Sequence, residues 1–262
     1  MSEQEQQKQV FESMQQVGHR VGTDKVTYHG YHQIYQSHID NQRGLAETLN
    51  DASPAIFEVG IDRGASVALW RALLPAPRWK ILGMDIGVEH VDEKQCLRIV
   101  KGDQSRTEDL RRVVDLVVRE HQHQVRIVND DGSHIPEHQI LTFDILFRDM
   151  LQPRGVYLLE DIETSYWTKG DCYGYPTAYG FRHPLSVVEQ FRSIVDVVNM
   201  PVMKPDDRRA LLTTASRQTG ISPETLSAIE SITFARNCII VTKKGPDHAA
   251  YDTRSYLNAH HW

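Results

Sequence analysis

The chain has 262 residues, 40% hydrophobic and 24% charged, which suits an ordinary soluble protein with one large core. Its 29 basic residues against 35 acidic ones leave a formal charge of -6, so there is no global basic field of the kind a dedicated nucleic-acid binder needs. No apolar run approaches the roughly 20 residues of a bilayer helix, and the start MSEQEQQKQV lacks the apolar stretch of a secretory signal. Cys96, Cys172 and Cys238 form no CxxC pair, which argues against a disulfide framework and a cysteine zinc site. The composition therefore predicts a cytoplasmic protein with reduced thiols that acts on neither membrane nor nucleic acid.

Residues 1–50 read as a helical or lid segment. Val10, Phe11, Met14 and Val17 are spaced for one weakly amphipathic helix. The stretch Gly22-Thr23-Asp24-Lys25, followed by Tyr28-His29-Gly30-Tyr31, suits either a lid or a helix surface. From residue 51 to 245, β-rich runs alternate with helical patterns: AIFEVG, a helix over 65–74, WKILGMDI, LRIVKGD, a helix over 107–121, VRIVNDD, a helix over 137–150, GVYLLEDI, and a helix over 185–199. This alternation predicts an α/β protein with a doubly wound, mostly parallel sheet. Two further helices interrupt the pattern at about 201–230. SITFARN and CIIVTKK then follow one another with no helix between them, so the sheet should close on a terminal antiparallel hairpin. Residues 246–262 form a tail without a readable pattern.

Ligands in open α/β sheets bind beyond the carboxyl ends of the strands, and these ends carry the chemistry of this sequence. The first strand ends in Glu58-Val-Gly60-Ile-Asp-Arg-Gly64, an ExGxxxG turn whose glycines let backbone approach a ligand. It is neither GxGxxG nor a nucleotide P-loop. The second ends in Asp85, placed to accept both hydroxyls of a ribose. The third ends in Asp103, Gln104 and Ser105, polar groups suited to an adenine edge. VRIVNDDGSH brings Asp130, Asp131 and His134 to the next strand end, and LLED brings Glu160 and Asp161 to its neighbour. So many carboxylates repel unless something neutralises them, and a hard divalent cation, most naturally magnesium, accepts such oxygens. The plainer alternatives are a helix cap at Asp130 or Asp131 and solvent exposure of Glu160 and Asp161. His134-Ile-Pro-Glu137-His138 also matches the HxxEH zinc pattern. Pro136 disfavours it, since proline belongs in a first helical turn and leaves His134 in the preceding loop. The remaining histidines, including His29, His32, His260 and His261, have no readable partner and should mostly be solvated.

Taken together, GTDK with YHGY, EVGIDRGAS, MDIG, KGDQS, DDGSH, LLEDIETSYW and the closing hairpin resemble the class I S-adenosylmethionine-dependent methyltransferases. Within them the likeness, over residues 22–244, is to the metal-dependent macrolide sugar O-methyltransferases of the mycinamicin 2''-O-methyltransferase type. Cephalosporin 7-methoxylation proteins share a related metal arrangement. The resemblance implies a seven-stranded Rossmann-like methyltransferase sheet, S-adenosylmethionine and Mg2+ as cofactors, and a hydroxyl of a sugar or other small molecule as methyl acceptor. It implies Asp131, Glu160 and Asp161 as metal ligands and His134 as general base. Glu58, Gly60 and Gly64 would face the methionine part of the cofactor, Asp85 its ribose, and Asp103 and Gln104 its adenine, with Asp130 on the cofactor side. The macrolide enzymes carry an extra N-terminal domain that this chain is expected to lack, and they are commonly oligomers, so a homo-oligomer is expected. Tyr28, Tyr166 and Trp167, with the loop through Tyr173, Tyr175 and Tyr179, are where acceptor contacts are expected; packing of the loop onto the sheet is the alternative. Two rival functions are a non-catalytic cofactor-binding protein that docks a partner through 201–230, and a metal-dependent hydrolase.

Overall fold

In the computed structural model, which describes residues 12–167 and 179–246, Ser13 opens the first helix, α1 (Met14–Val21), with a reciprocal capping box to Gln16. Gly22, at φ 72°, closes it. The short α2 (Asp24–Thr27) and the long α3 (His32–Thr48) complete an N-terminal helical layer. The expectations at Val10, Phe11, Cys172, Tyr173, Tyr175, His260, His261 and the tail beyond 246 lie outside the described residues. Cys96 and Cys238 are free thiols. No helix among the described residues is long and apolar enough to cross a membrane.

The alternating part folds as β1 (Pro54–Val59), α4 (Ala65–Leu73), β2 (Lys80–Asp85), β3 (His90–Asp92), β4 (Leu97–Lys101), α5 (Thr107–Val114), β5 (Gln124–Asp130), α6 (Pro136–Asp149) and β6 (Leu151–Glu160). Then come α7 (Val187–Ser193), α8 (Pro205–Thr219), α9 (Pro223–Ser227) and the hairpin β7 (Ile229–Ala235) and β8 (Cys238–Lys243). The sheet order is β3-β4-β2-β1-β5-β6-β8-β7. β4, β2, β1, β5 and β6 run parallel, while β8 is antiparallel to β6 and β7 to β8. Among the described residues the sheet thus has eight strands, not seven. The additional one is β3, three residues pairing antiparallel with the edge of β4, too short and too exposed to leave an apolar run in the sequence. Two helices are also shorter than the periodicity predicts. The helix after Thr107 passes into a π-helical turn at Asp115–Glu120, and α7 gives way to a 3₁₀ stretch at Val195–Val202.

Alternation along each strand divides the core into two layers. Ala55, Phe57 and Val59 of β1 and Val128 of β5 belong with α5, α6 and α7 on one face. Ile56, Ile127, Val156, Leu158 and Ile240 belong on the other with Met14, Val17, Tyr31, Tyr35 and Ile39 of the N-terminal layer and Trp70 of α4. Strand order reverses between β1 and β5, and at such a switch point the diverging loops leave a crevice.

The helices at 205–227 are anchored to α6 by Asp144. Its carboxylate accepts from Ser222 N at 2.8 Å, from Ser222 Oγ at 2.6 Å and from Thr225 Oγ1 at 2.6 Å. Burial by itself would raise this carboxyl, but the Ser222 and Thr225 donors and nearby Arg148 hold it below the ordinary aspartate value. A carboxyl depressed in the folded state stabilises fully above its unfolded value of about 3.9 and loses that contribution as pH falls through the lower folded value. Asp144→Asn should therefore cost about 1–3 kcal/mol at neutral pH, and the deficit relative to wild type should narrow below about pH 4. Urea denaturation at the two pH values checks both the size and the sign.

Candidate functional site

The crevice at the switch point is a cavity of about 460 Å³, within the range that takes a small-molecule cofactor. Gly60, Asp85, Asp103, Gln104 and Asp131 line it, and Thr23 and Asp24 of the N-terminal layer form part of its wall. Gly60, at φ 83°, lies so near the DDGSH loop that a Cβ there would sit 2.1 Å from the Asp131 carbonyl oxygen. Gly64, at φ 80°, caps α4, and a Cβ there would meet open space.

The expected cofactor residues divide into those with side chains on the cavity and those spent on holding its walls. Asp85 accepts from the backbone N–H groups of Ile61 (2.9 Å), Asp62 (3.3 Å), Gly87 (2.7 Å) and Val88 (3.0 Å). Burial acts to raise its carboxyl, and these four donors together bring it below the ordinary value. Asp85 thus clamps the turn after β1 to the turn after β2. Asp103 accepts from Ser105 N and Oγ at 2.9 and 2.7 Å. Gln104 donates to Asp130 Oδ1 at 3.1 Å and accepts from Ser133 N at 2.5 Å. Asp130 is fully buried, takes the Tyr157 hydroxyl on its other oxygen at 2.9 Å, and does not line the cavity. Burial pushes its carboxyl up to about 6. Glu58, also buried, accepts from Ser66 Oγ at 2.7 Å and Asn129 Nδ2 at 3.0 Å behind the cavity wall.

Beside the cavity, the ends of β5 and β6 bring Asp131, His134 and Asp161 together, with one ligand atom of each inside a 4.8 Å span. His134 Nε2 lies 3.8 Å from Asp161 Oδ2. Both residues have left-handed backbone, φ 56° at His134 and 53° at Asp161. Such conformations cost of order 1–3 kcal/mol each and persist where surrounding structure enforces them. For Asp161 that structure is visible: Oδ1 accepts from Tyr31 Oη at 2.6 Å and Asn237 Nδ2 at 3.0 Å.

Glu160, the third expected ligand, lies outside that three-residue group and is engaged by a lysine. Its Oε2 accepts from Lys25 Nζ at 2.7 Å, while Oε1 is buried without a hydrogen-bond partner. Lys25 also reaches Asp131 Oδ2 at 2.5 Å and Glu58 Oε1 at 3.5 Å. Burial would lower the ammonium, and the carboxylates of Asp131, Glu160 and Glu58 reverse this and hold it well above the ordinary lysine value. Burial raises the carboxyls of Glu160 and Asp161, the former against the opposing charge of Lys25. An oxygen-rich donor set with one imidazole and an unsatisfied buried carboxylate oxygen fits a hard divalent cation.

Pro136 opens α6 and leaves His134 in the loop before it, while His138 Nδ1 pairs with Ser133 Oγ at 2.9 Å. The two histidines therefore do not share the helix face that the zinc pattern requires. His29 is not solvated as expected: its Nδ1 lies 3.5 Å from Asp161 Oδ1, and its side chain is 11% exposed. Tyr28 and Tyr166 are exposed, Tyr166 stacking on Phe181 with centroids 6.1 Å apart. Trp167 is half-buried. The reading of motifs missed the charge role of Lys25, together with Tyr31 and Asn237. The one available signal was electrostatic, since carboxylates gathered at adjacent strand ends need a cation, and GTDK holds a lysine.

Gly60→Ala should cost more stability than Gly64→Ala, which meets only the left-handed backbone penalty of about 1–2 kcal/mol. Chemical denaturation of the two variants ranks them, and equal losses would show that the approach of Gly60 to Asp131 imposes no constraint.

No family profile matches the chain. It is 32% identical over 148 residues to the 8-demethyl-8-alpha-L-rhamnosyl tetracenomycin-C 2'-O-methyltransferase of Streptomyces olivaceus, a match covering 56% of this chain and 37% of that protein. It is 39% identical over 105 residues to the mycinamicin VI 2''-O-methyltransferase of Micromonospora griseorubida, covering 40% of this chain and 24% of that one. The matches span less than half the length of these relatives. A solved structure of the mycinamycin-pathway methyltransferase MycE, in complex with Mg, SAH and mycinamycin VI, superposes with a TM-score of 0.66 over 90% of this chain and 55% of that chain, at 24% identity. The chain is thus similar in sequence to these two O-methyltransferases and shares the α/β methyltransferase fold of MycE.

Proposed function

We propose that this protein is a magnesium-dependent S-adenosylmethionine methyltransferase that methylates a hydroxyl of a sugar on a small-molecule natural product. The observation that carries the reading is Asp131, which lines the cavity and also belongs to the carboxylate–imidazole cluster. A cofactor in the first and a cation at the second would then meet across one residue. The 2'-O and 2''-O activities named for the relatives support a sugar acceptor.

When bound, S-adenosylmethionine supplies a methyl group on a sulfonium and the divalent cation lowers the pKa of an acceptor hydroxyl. Asp131 and Asp161, with Glu160 beside them, are the residues that would hold the cation. His134 sits next to Asp161, with Nε2 3.8 Å from Oδ2, and that nitrogen would take the proton of an acceptor hydroxyl held there. Tyr31 and Asn237 fix Asp161 by hydrogen bonds, and positioning of that kind would hold an acceptor hydroxyl in one orientation. Asp85 holds the two turns that shape the cofactor cavity. Tyr28, Tyr166 and Trp167 would offer rings to the acceptor's sugar or apolar face.

Calorimetric titration with S-adenosylmethionine and S-adenosylhomocysteine, with and without Mg2+, tests the class: binding supports it, and no binding to folded protein discards it in favour of a hydrolase. Cofactor binding with no methylated product from any hydroxylated acceptor would favour the non-catalytic role. Asp131→Ala should abolish metal-dependent turnover while the cofactor still binds, and full activity in EDTA would overturn the metal assignment. His134→Ala should lose about 10²–10⁴-fold in turnover with little change in metal affinity, and unchanged turnover would remove it as the base.

A further inference from the structure

Lys25 is the least expected feature of the cluster. Its side chain is 1% exposed and its ammonium lies against Asp131 and Glu160, two of the three carboxylates assigned to the cation. The backbone that carries it is held by its neighbours: Val26 N and Thr27 N both donate to the Thr23 carbonyl, and Tyr31 N donates to the Lys25 carbonyl. Val26 is itself packed in the core layer with Met14 and Val17 of α1. A fixed unit charge and an exchangeable double charge therefore face the same oxygens.

We propose that Lys25 is a resident counter-ion that competes with the divalent cation for Asp131 and Glu160 and so sets its affinity. The inference rests on the metal reading of the cluster. With the cation absent, the ammonium neutralises carboxylates that would otherwise repel one another, so the site stands assembled before metal arrives. With the cation present, the ammonium's charge opposes it across a few ångströms, where protein interior screens poorly. Glu160 fits this division, with Oε2 on the lysine and Oε1 buried without a partner. Lys25 is thus a positioning residue that touches no reacting atom, and its role differs in sign from mere scaffolding. A scaffold lysine, once removed, would disorganise the carboxylates and weaken metal binding. A competing lysine, once removed, strengthens it.

The test is Mn2+ binding to the whole chain, followed by electron paramagnetic resonance, together with the Mg2+-induced rise in Tm. Lys25→Met should bind Mn2+ about tenfold or more tightly than wild type, equivalent to about 1.4 kcal/mol, and should gain more Tm from Mg2+. Lys25→Gln, which keeps a donor for the carboxylates, should shift in the same direction and serves if the methionine variant does not fold. Binding that is unchanged or weaker in the folded variant overturns the proposal while leaving the metal reading intact. Failure of wild type and variants alike to bind Mn2+ overturns both.

Discussion

An ammonium buried to 1% exposure survives only inside matching negative charge, and the pairing of Lys25 with Glu58, Asp131 and Glu160 is the interaction on which the site depends. It joins the ends of β1, β5 and β6 to a short helix that precedes the sheet in sequence. The consequence reaches beyond charge balance. The residues just before Lys25 form part of the cavity wall, while His29 and Tyr31, just after it, close on Asp161. The N-terminal layer is therefore part of the site. Departure of that layer would take the ammonium from Glu58, Asp131 and Glu160 and the Tyr31 hydroxyl from Asp161.

The alternation of strand side chains explains why these groups meet. On β5, Ile127 and Asn129 point toward the N-terminal layer, as Glu58 does from β1 and Glu160 from β6; Val128 and Asp130 point toward α6. Two adjacent aspartates in one motif thus have different fates. Asp131 reaches the lysine and the cavity, whereas Asp130 is consumed by Tyr157 and Gln104. The second tie is carried by glycine and strain. Gly60 lets the turn after β1 approach the DDGSH loop, and the left-handed backbone at His134 and Asp161 brings imidazole and carboxylate toward one another across neighbouring strand ends.

The hairpin contributes from the far end of the chain. Asn237, at the turn between β7 and β8, donates to Asp161 across 76 positions and to Tyr31 across 206. Antiparallel β8 sets Cys238 opposite Glu160, and this register brings the turn level with the end of β6. The terminal strands therefore do more than seal the sheet edge, because they hold in place a carboxylate of the cluster.

Much of the fold is legible in the chain itself, because period-2 and period-3.6 patterns, prolines and caps are local. The β-rich runs became strands, Pro136 opened α6 with His134 left in the loop, and SITFARN-CIIVTKK became the hairpin. The strand-end residues were legible for the same reason, since a strand's last positions belong to the sheet edge wherever the strand sits. What local pattern does not carry is which groups, brought to that edge, use their hydrogen-bonding capacity on one another. Asp85 spends its oxygens on four backbone amides, Gln104 and Asp130 spend theirs on each other, and Glu160 turns to a lysine 135 residues away. Local pattern in the chain was enough for the elements and for the inventory of charged groups at one edge of the sheet. Tertiary structure alone decided their pairing, because ion pairs and hydrogen bonds act over a few ångströms in space, and that separation is set only once the N-terminal layer and the hairpin are packed.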